Sequence, residues 1–517
     1  DTLTLKDRIA HHVTTSLSTI EIASQNADRI VEEFSDFYRK SGRGDFGAYQ
    51  SYVVKSGNNP EKITALRSLL DTHQIQYKQS TASQRLFGFS YQQDNEIDFR
   101  LEEGDLVISS SQPKSVLLQT LFEPEAELSD SITYDITAWA IPYAYDLDAY
   151  ALISKINSVQ DPVQSTFTPI DLDESTYAYV SRWDGIQDAR FLAELIKKGI
   201  KVRYSTQDFA IDGQAFDAGA LVITRANNRS LGNGFDEVVV GVANELEQEI
   251  FPVQTGYVES GFDLGSGEIR YIEPPKILLV AGEGISPYGF GEIWYYFEQE
   301  INYPVSVSNA QNLSDNILAN YNVLILPDGS YSQILETVDL KSWVKQGGKV
   351  IALEDALTYF ETKEEYQLSE YNDEQEEDKL KAIEENYQEN HRLASYDERE
   401  RRSISNYISG SIFKLRIDNT HPLGLGYPNY YFTLKRGNSR YGYLKKGWNV
   451  ATLENQGALV SGFAGAEMQK QLSNSLVFGV EEMGDGTIVY MVDNPLFRAF
   501  WQNGKLLFSN ALFLVGQ

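Results

Sequence analysis

Cysteine is absent from this chain of 517 residues, and histidine occurs only five times. Without cysteine there is no disulfide framework, no thiolate nucleophile and no cysteine-ligated zinc or iron–sulfur site. The lack of a readily oxidised thiol suits an exported protein. The sequence therefore excludes thiol chemistry. A secreted or periplasmic location is an expectation that the absence of cysteine suits but does not fix.

The histidines lack the spacing of a zinc hydrolase, which needs imidazole and carboxylate ligands at close spacing and a general base. His11 and His12 are adjacent, and none of the five histidines has a glutamate three positions later. We therefore expect structural roles for the histidines. The chain itself is expected to hold no metal site, no cofactor and no catalytic residue of a metallopeptidase.

Positive charge is scarce as well. The 44 Lys and Arg residues stand against 74 Asp and Glu, for a formal net charge of −30. Such a polyanion repels nucleic acid phosphates and anionic lipid head groups, so neither is an expected partner. No run of about 18 apolar residues occurs, and no membrane span is predicted. The chain opens at Asp1 without a signal-peptide pattern, which predicts a processed or truncated product.

Two stretches repeat one order of elements after a helical lead-in over residues 1–45. In both 46–150 and 151–272, a strand, a helix, a second strand and a glycine-led strand follow one another. The pattern of residues 101–108 matches that of 216–223. Strands that alternate with helices predict an α/β protein built from repeated βα units with mainly parallel sheets.

The remainder of the chain, 273–517, predicts a third α/β unit. Apolar runs at 276–281, 323–326 and 350–353 have the composition of buried strands, and a glycine-rich turn follows the first of them. This order is typical of a doubly wound sheet. Residues 361–405 interrupt it as an acidic insertion.

The acidic insertion has two interpretations. Residues 361–400 contain 15 acidic and 5 basic residues, as expected for a solvated, partly helical surface excursion. The alternative is an ion-binding segment, although no EF-hand spacing is present.

Other candidate motifs are weak. Ser330 follows a predicted strand but lacks the Gly-x-Ser-x-Gly frame of a serine hydrolase. The turn 282–287 stands where phosphate could bind, but its glycine spacing fits neither nucleotide motif, and Glu283 would repel phosphate. The aromatic cluster at 427–432 could stack on sugars or peptides, or could belong to the core.

Four runs together carry a family resemblance: 134–145, 289–292, 418–423 and 494–500. They resemble the region downstream of the peptidase domain in large secreted bacterial zinc carboxypeptidases of the carboxypeptidase A/B type. The resemblance implies an upstream peptidase domain that holds the zinc and is itself a partner of this region. The family's zinc ligands have no matching positions here.

Residues 273–360 also resemble the class I glutamine amidotransferase-like fold, whose nucleophile is a cysteine in the turn after a buried strand. The matching strand is 350–353, and the matching turn carries Glu354 and Asp355. The resemblance therefore implies a degenerate domain, because a carboxylate cannot form the thioester.

A candidate pocket follows from this alignment. Ligands of open α/β sheets gather beyond the carboxyl ends of the strands. We expect Glu354 and Asp355 to lie there beside Ser330 and Glu283, whose turns end adjacent strands. The predicted position is separable from any function, since Glu354 could simply cap a helix.

The sequence leads to one favoured function and two alternatives. The favoured one is an accessory, non-catalytic region of an exported zinc carboxypeptidase that supports or orients a peptide, protein or cell-wall substrate. One alternative is a glycan- or peptide-binding module. The other is a carboxylate-dependent hydrolase that uses the Glu354 region, so whether the chain is itself an enzyme stays open.

Overall fold

The protein is described by a computed structural model that covers residues 3–126, 128, 135–163, 167–172, 175–232, 234–369, 392, 395–454 and 458–517. The chain divides into two compact units, which are discontinuous in sequence. The first comprises Asp1–Ser56, Leu66–Glu123 and Ala149–Val163, and the second comprises Gly57–Ala65, Pro124–Asp148 and Gln164–Gln517. The division of the chain into four segments at 45, 150 and 272 stays a prediction. Most of the acidic insertion lies outside the described residues.

The lead-in consists of two helices, α1 Leu5–Gln25 and α2 Ala27–Arg43. Thr4 and Asp7 form a capping box at the start of α1, and Gly44 ends α2 in a left-handed conformation. The apolar side chains that predicted helix here are exposed, not buried. They include Leu5, Ile9, Val13, Leu17, Ile20, Ile30, Phe34 and Phe37.

The first unit contains a seven-stranded sheet in the order β4-β3-β6-β1-β5-β2-β7. Its strands are β1 Ser51–Val54, β2 Lys78–Ser80, β3 Gln84–Ser90, β4 Asn95–Leu101, β5 Leu106–Ser109, β6 Ala149–Leu152 and β7 Val159–Gln160. The helices between these strands in the sequence are α3 Pro60–Thr72 and α4 Ser115–Phe122. Each neighbouring pair of described strands is antiparallel.

The second unit contains a five-stranded sheet in the order β13-β8-β12-β9-β14, and it is also antiparallel. Its strands, with the separate hairpin β10-β11, are β8 Ala178–Ser181, β9 Arg203–Ser205, β10 Phe209–Ile211, β11 Gln214–Phe216, β12 Leu221–Thr224, β13 Phe251–Val253 and β14 Ile269–Tyr271. The prediction of mainly parallel sheets is wrong for these first two sheets. The two strands that flank each helix are indeed parallel to each other, but the later glycine-led strand lies between them and runs antiparallel to both.

The two antiparallel sheets share their strand order and register. The order β6-β1-β5-β2-β7 corresponds to β13-β8-β12-β9-β14. Val53 pairs with Val107 in the first sheet as Val180 pairs with Val222 in the second. This common arrangement is what a duplicated unit would produce.

The third sheet, also in the second unit, has ten described strands. Its bounds are β15 Ile277–Ala281, β16 Ser306–Asn309, β17 Val323–Leu326, β18 Lys349–Leu353, β19 Ser411–Ile417, β20 Tyr430–Lys435, β21 Trp448–Leu453, β22 Leu459–Ser461, β23 Ser475–Met483 and β24 Gly486–Met491. The strands β16-β15-β17-β18-β24 are parallel. From β24 the sheet continues antiparallel through β23, β21, β19 and β20, with β22 beside β19. The protein is therefore mixed α/β with several sheets, of which one has parallel strands.

Helices cover both faces of the parallel strands. The helices of the second unit are α5 Ile141–Ala144, α6 Ile186–Lys197, α7 Gly234–Glu245, α8 Pro287–Tyr295, α9 Asp315–Leu318, α10 Ser332–Leu335, α11 Leu340–Lys345, α12 Leu357–Glu361, α13 Arg399–Ile404, α14 Ala466–Gln471 and α15 Gln502–Phe513. Alternate residues of β15, β17 and β18 pack with α8 and α15 on one face, and with α11 and α12 on the other. Burial on both faces explains why these strands are continuous apolar runs.

Candidate functional site at the carboxyl ends of the parallel strands

Glu354 directly follows the buried strand β18, in the turn that leads to α12. Its backbone is in the left-handed region, with φ of +51°. This conformation is uncommon for a residue with a side chain, and such strain gathers at functional sites. β18 lies between the parallel strands β17 and β24, so the turn is at the carboxyl edge of the sheet, where ligands of α/β proteins bind.

Both oxygens of the Glu354 carboxylate accept hydrogen bonds. Arg436, the residue after β20, donates from Nη2 to Oε1 at 2.7 Å. Asn494, three residues after β24, donates from Nδ2 to Oε2 at 3.1 Å. Glu354 is thus held by a cation and an amide from two distant parts of the sequence.

The amide nitrogen of Asn494 also donates to a second carboxylate, that of Glu292, and so links it to Glu354. Asn494 Nδ2 lies 2.6 Å from Oε2 of Glu292, which is on α8. The other oxygen of Glu292 accepts the backbone N–H of Arg498 at 2.8 Å. The Asn494 carbonyl oxygen accepts the backbone N–H of Leu496 at 2.9 Å, so the amide is used at both ends.

The electrostatics of this cluster favour protonated carboxyl groups. Burial raises the pKa of Glu354 to about 7; the positive charge of Arg436 opposes this rise, and the negative charges of Asp328 and Glu292 add to it. Burial also raises the pKa of Glu292, against the hydrogen bonds from Arg498 and Asn494. Both carboxyl groups therefore hold their protons more firmly than ordinary glutamates do, and the pKa of about 7 places the titration of Glu354 near neutral pH.

A buried ion pair fixes the two segments that supply Arg436 and Asn494. Lys435 Nζ lies 3.0 Å from Asp493 Oδ1, and these side chains are only 2% and 3% exposed. Thr433 donates its hydroxyl to the other oxygen of Asp493 at 2.9 Å. Because Lys435 and Arg436 are consecutive at the end of a strand, one turns into the core and the other toward Glu354.

The predicted site residues are only partly brought together. The backbone N–H of Asp355 donates to Asp328 at 3.3 Å, and burial together with the charge of Asp328 raises the pKa of Asp355. Ser330 is exposed and uses its backbone N–H on Gly284. Glu283 is exposed and accepts a hydrogen bond from Gln311. Across the described ranges, no hydrogen bond joins the side chain of Ser330 or Glu283 to Glu354.

Sequence reasoning missed four residues of the cluster: Glu292, Arg436, Asn494 and Arg498. Glu292 lies in the run 289–292, and Asn494 and Arg498 lie in the run 494–500, both of which carried the family resemblance. That resemblance was the available signal for these three. Arg436 stands in an ordinary polar loop and had no signal.

His421 has a structural role. Burial lowers the pKa of His421 to about 4, and its Nδ1 accepts the backbone N–H of Leu423, as in a structural cap. Within the described part of the chain, no group of three or more His, Asp or Glu side chains is arranged to hold a metal ion. Among these same residues, no helix has the length and apolar character needed to cross a membrane.

Comparison with known proteins yields fold neighbours only. No known family profile matches the chain, and no curated protein gives a significant match. Similar solved structures include a candidate ThuA-like protein from Bacteroides uniformis (10% identity, TM-score 0.28) and a candidate GMP synthase component from Thermoplasma acidophilum (9%, 0.29). A glutamine amidotransferase from Thermotoga maritima gives 8% identity and a TM-score of 0.28.

Each of these three alignments covers 46% of this chain and between 89% and 96% of the other protein. At such identities and scores they carry no argument about activity, substrate or partner. None of the three is a carboxypeptidase, and the resemblance to the carboxypeptidase region stays a prediction.

Proposed function

We propose that this chain is an accessory, non-catalytic region of an exported zinc carboxypeptidase and that it binds and orients peptide at the Glu354 cluster. The observation that carries the proposal is the backbone conformation of Glu354 together with its hydrogen bonds. It stands in a left-handed turn after a buried strand, and both of its oxygens are engaged by Arg436 and Asn494. In an amidotransferase-like doubly wound domain this turn would carry the cysteine, and a carboxylate cannot replace the thiolate.

The contacts of the cluster suit binding better than catalysis. A general base needs a free lone pair directed at the proton that it removes. One lone pair on each Glu354 oxygen is used by a protein donor, and the Arg436 guanidinium partly neutralises the charge. Arg498 donates its backbone N–H to Glu292, and its guanidinium lies over Trp139, which stacks on Phe500. Charged, amide and aromatic groups in one place match the chemistry of a peptide.

In the whole protein, this region would support a separate catalytic domain. The zinc and the peptidase reaction would belong to an upstream domain, which is the expected partner of this region. The substrate would be a peptide, a protein or peptide-bearing cell-wall material outside the cytoplasm. A net charge of −30 is in keeping with an exported, highly soluble protein.

The test is peptide binding by the purified chain. We expect acetylated tripeptides to bind without being cleaved, as followed by NMR titration and by product analysis. Asn494→Ala should weaken binding at least tenfold, since it frees two carboxylates from their shared donor. Gln311→Ala, which removes the exposed hydrogen bond to Glu283, is the matched control and should bind as the wild type does. Absence of peptide binding to the wild type would refute the proposal.

A second function, carboxylate-dependent hydrolysis, is favoured by one observation. The pKa of Glu354 is near 7, and a second carboxyl group, Glu292, is linked to it through one amide nitrogen. Paired carboxyl groups with raised pKa are typical of general acid–base sites. Hydrolysis of peptide or glycoside substrates that is abolished in Glu354→Gln, with the fold retained, would replace the binding function by this one.

A further inference from the structure

The turn that follows Asn494 contains two consecutive strained residues. Arg498 and Ala499 have φ of +47° and +59°, although neither is glycine. Left-handed conformations of this kind are strained for residues that have a side chain, and they persist only where the surroundings fix them. Here the fixing contacts are the bonds from Arg498 N–H to Glu292 and from Ala499 N–H to Leu496.

This turn displays the Arg498 side chain on an aromatic surface. Its guanidinium carbon lies 5.1 Å from the ring centre of Phe497 and 5.8 Å from that of Trp139. Trp139 in turn stacks on Phe500, with ring centres 5.8 Å apart. Cation–π contacts hold a guanidinium flat against rings without using its N–H donors.

No residue that the structure describes accepts a hydrogen bond from the Arg498 guanidinium. In the part of the chain that the structure describes, its side chain makes no hydrogen bond and no ion pair, and the residue is exposed. Arg436, by contrast, forms an ion pair with Glu354. The strained turn therefore presents one oriented, unpaired guanidinium at the edge of the cluster.

We propose that Arg498 is the receptor for the C-terminal carboxylate of a bound peptide. This inference rests on the proposed peptide-binding function. A guanidinium offers two parallel N–H donors that match the two oxygens of a carboxylate. The rings of Trp139 and Phe500 would pack against the last side chain of the peptide and favour an apolar or aromatic one.

The acidic side chains near Arg498 favour a singly charged anion over a dianion. Glu292 and Glu354 lie beside the turn, and Asp328 is close to Glu354. These carboxyl groups disfavour a dianion such as phosphate more than a single carboxylate. Because the pKa values of Glu292 and Glu354 are raised, these two groups repel an approaching carboxylate less than ordinary glutamates would.

The experiment compares acetyl-Gly-Gly-Phe as the free acid and as the C-terminal amide, titrated into the whole chain at pH 7. The wild type should bind the free acid at least tenfold more tightly than the amide. Arg498→Gln should remove this preference, and Arg498→Lys should restore only part of it, since an ammonium lacks the paired donors. Arg416→Gln, an exposed arginine of the same unit that pairs with Glu454, is the control and should keep the preference.

The outcomes distinguish a failure of the role of Arg498 from a failure of peptide binding itself. Equal binding of acid and amide to the wild type would overturn the role of Arg498 and leave peptide binding intact. A preference that survives in Arg498→Gln would also overturn it. No binding of either peptide would reject the proposed function itself. Inorganic phosphate or glucuronate that displaces the peptide at equal concentration would reject the assignment to a peptide carboxylate. Equal unfolding midpoints in urea show that the variants are folded.

Discussion

Gln112 and Asn228 make the same hydrogen bonds at corresponding places in the two antiparallel sheets. Each side-chain amide exchanges two bonds with the backbone of one residue, Gln76 in the first sheet and Lys201 in the second. Each also donates to the carbonyl at the end of the central strand. Asn228, whose side chain is shorter by one methylene, thus makes the same hydrogen bonds as Gln112. This supports a duplication followed by divergence.

This correspondence predicts equal effects of removing the amides. Gln112→Leu and Asn228→Leu each leave a backbone N–H and two carbonyls without their partner, at a cost of about 1–3 kcal/mol. We expect hydrogen exchange to accelerate at the amide of residue 76 in the first variant and of residue 201 in the second. Gln25→Ala, on an exposed helix face, should change neither amide. Unaltered exchange in either variant would show that its side chain is dispensable.

The common order of elements was readable from the sequence, but the direction of the strands was not. Gly104 and Gly219 begin the matching strands with φ of +90° and +99°, and a left-handed turn of this kind leaves a glycine signal. Strand order leaves no such local signal. The glycine-led strand comes last in each unit and inserts between the two earlier strands, so these never become the neighbouring parallel pair that a strand–helix–strand order suggests.

The position of Glu354 was likewise predictable, while its partners were not. An apolar run followed by carboxylates indicates the end of a buried parallel strand, as found for β18. Arg436 reaches Glu354 from the end of an antiparallel strand, 82 positions away, and Asn494 does so from 140 positions away. Such contacts depend on the order of the strands in the sheet, and no short stretch of the sequence shows that order.

The buried pair of Lys435 and Asp493 should be essential for stability. Lys435→Met leaves Asp493 charged and without its ion partner in the core, which typically costs about 3–5 kcal/mol. The double change Lys435→Met with Asp493→Leu should cost less, because no charge stays buried. The measurement is urea unfolding of the three variants. Lys470→Met, in an exposed pair with Glu467, should stay within about 0.5 kcal/mol of the wild type. A double variant as unstable as Lys435→Met would contradict this account.

Gly504 on α15 should tolerate no side chain. A Cβ built there would lie 1.9 Å from the carbonyl oxygen of Pro495, in the loop that carries Asn494. Gly504→Ala should therefore destabilise the protein by more than about 2 kcal/mol and weaken peptide binding, since the loop must move. The matched change Gly241→Ala, in a helix with nothing within 4 Å, should stabilise by about 0.5–1 kcal/mol. Thermal unfolding and titration with acetyl-Gly-Gly-Phe separate the two effects, and similar behaviour of the two variants would contradict the prediction.

Glu354 should make stability fall as the pH rises toward neutrality. Burial raises its pKa from an ordinary value of 4.5 to about 7, so the folded protein binds more protons than the unfolded chain between these values. The contribution of this carboxyl group is therefore fully present below pH 4.5 and is lost as the pH rises through 7. From pH 4.5 to 8, the wild type should lose about 1–3 kcal/mol more of its free energy of unfolding than Glu354→Gln, whose neutral amide keeps the same shape. Urea unfolding at both pH values measures the difference, and Glu283→Gln, at an exposed position, should follow the wild type. Parallel pH profiles for the wild type and Glu354→Gln would mean that Arg436 holds the carboxylate ionised throughout this range.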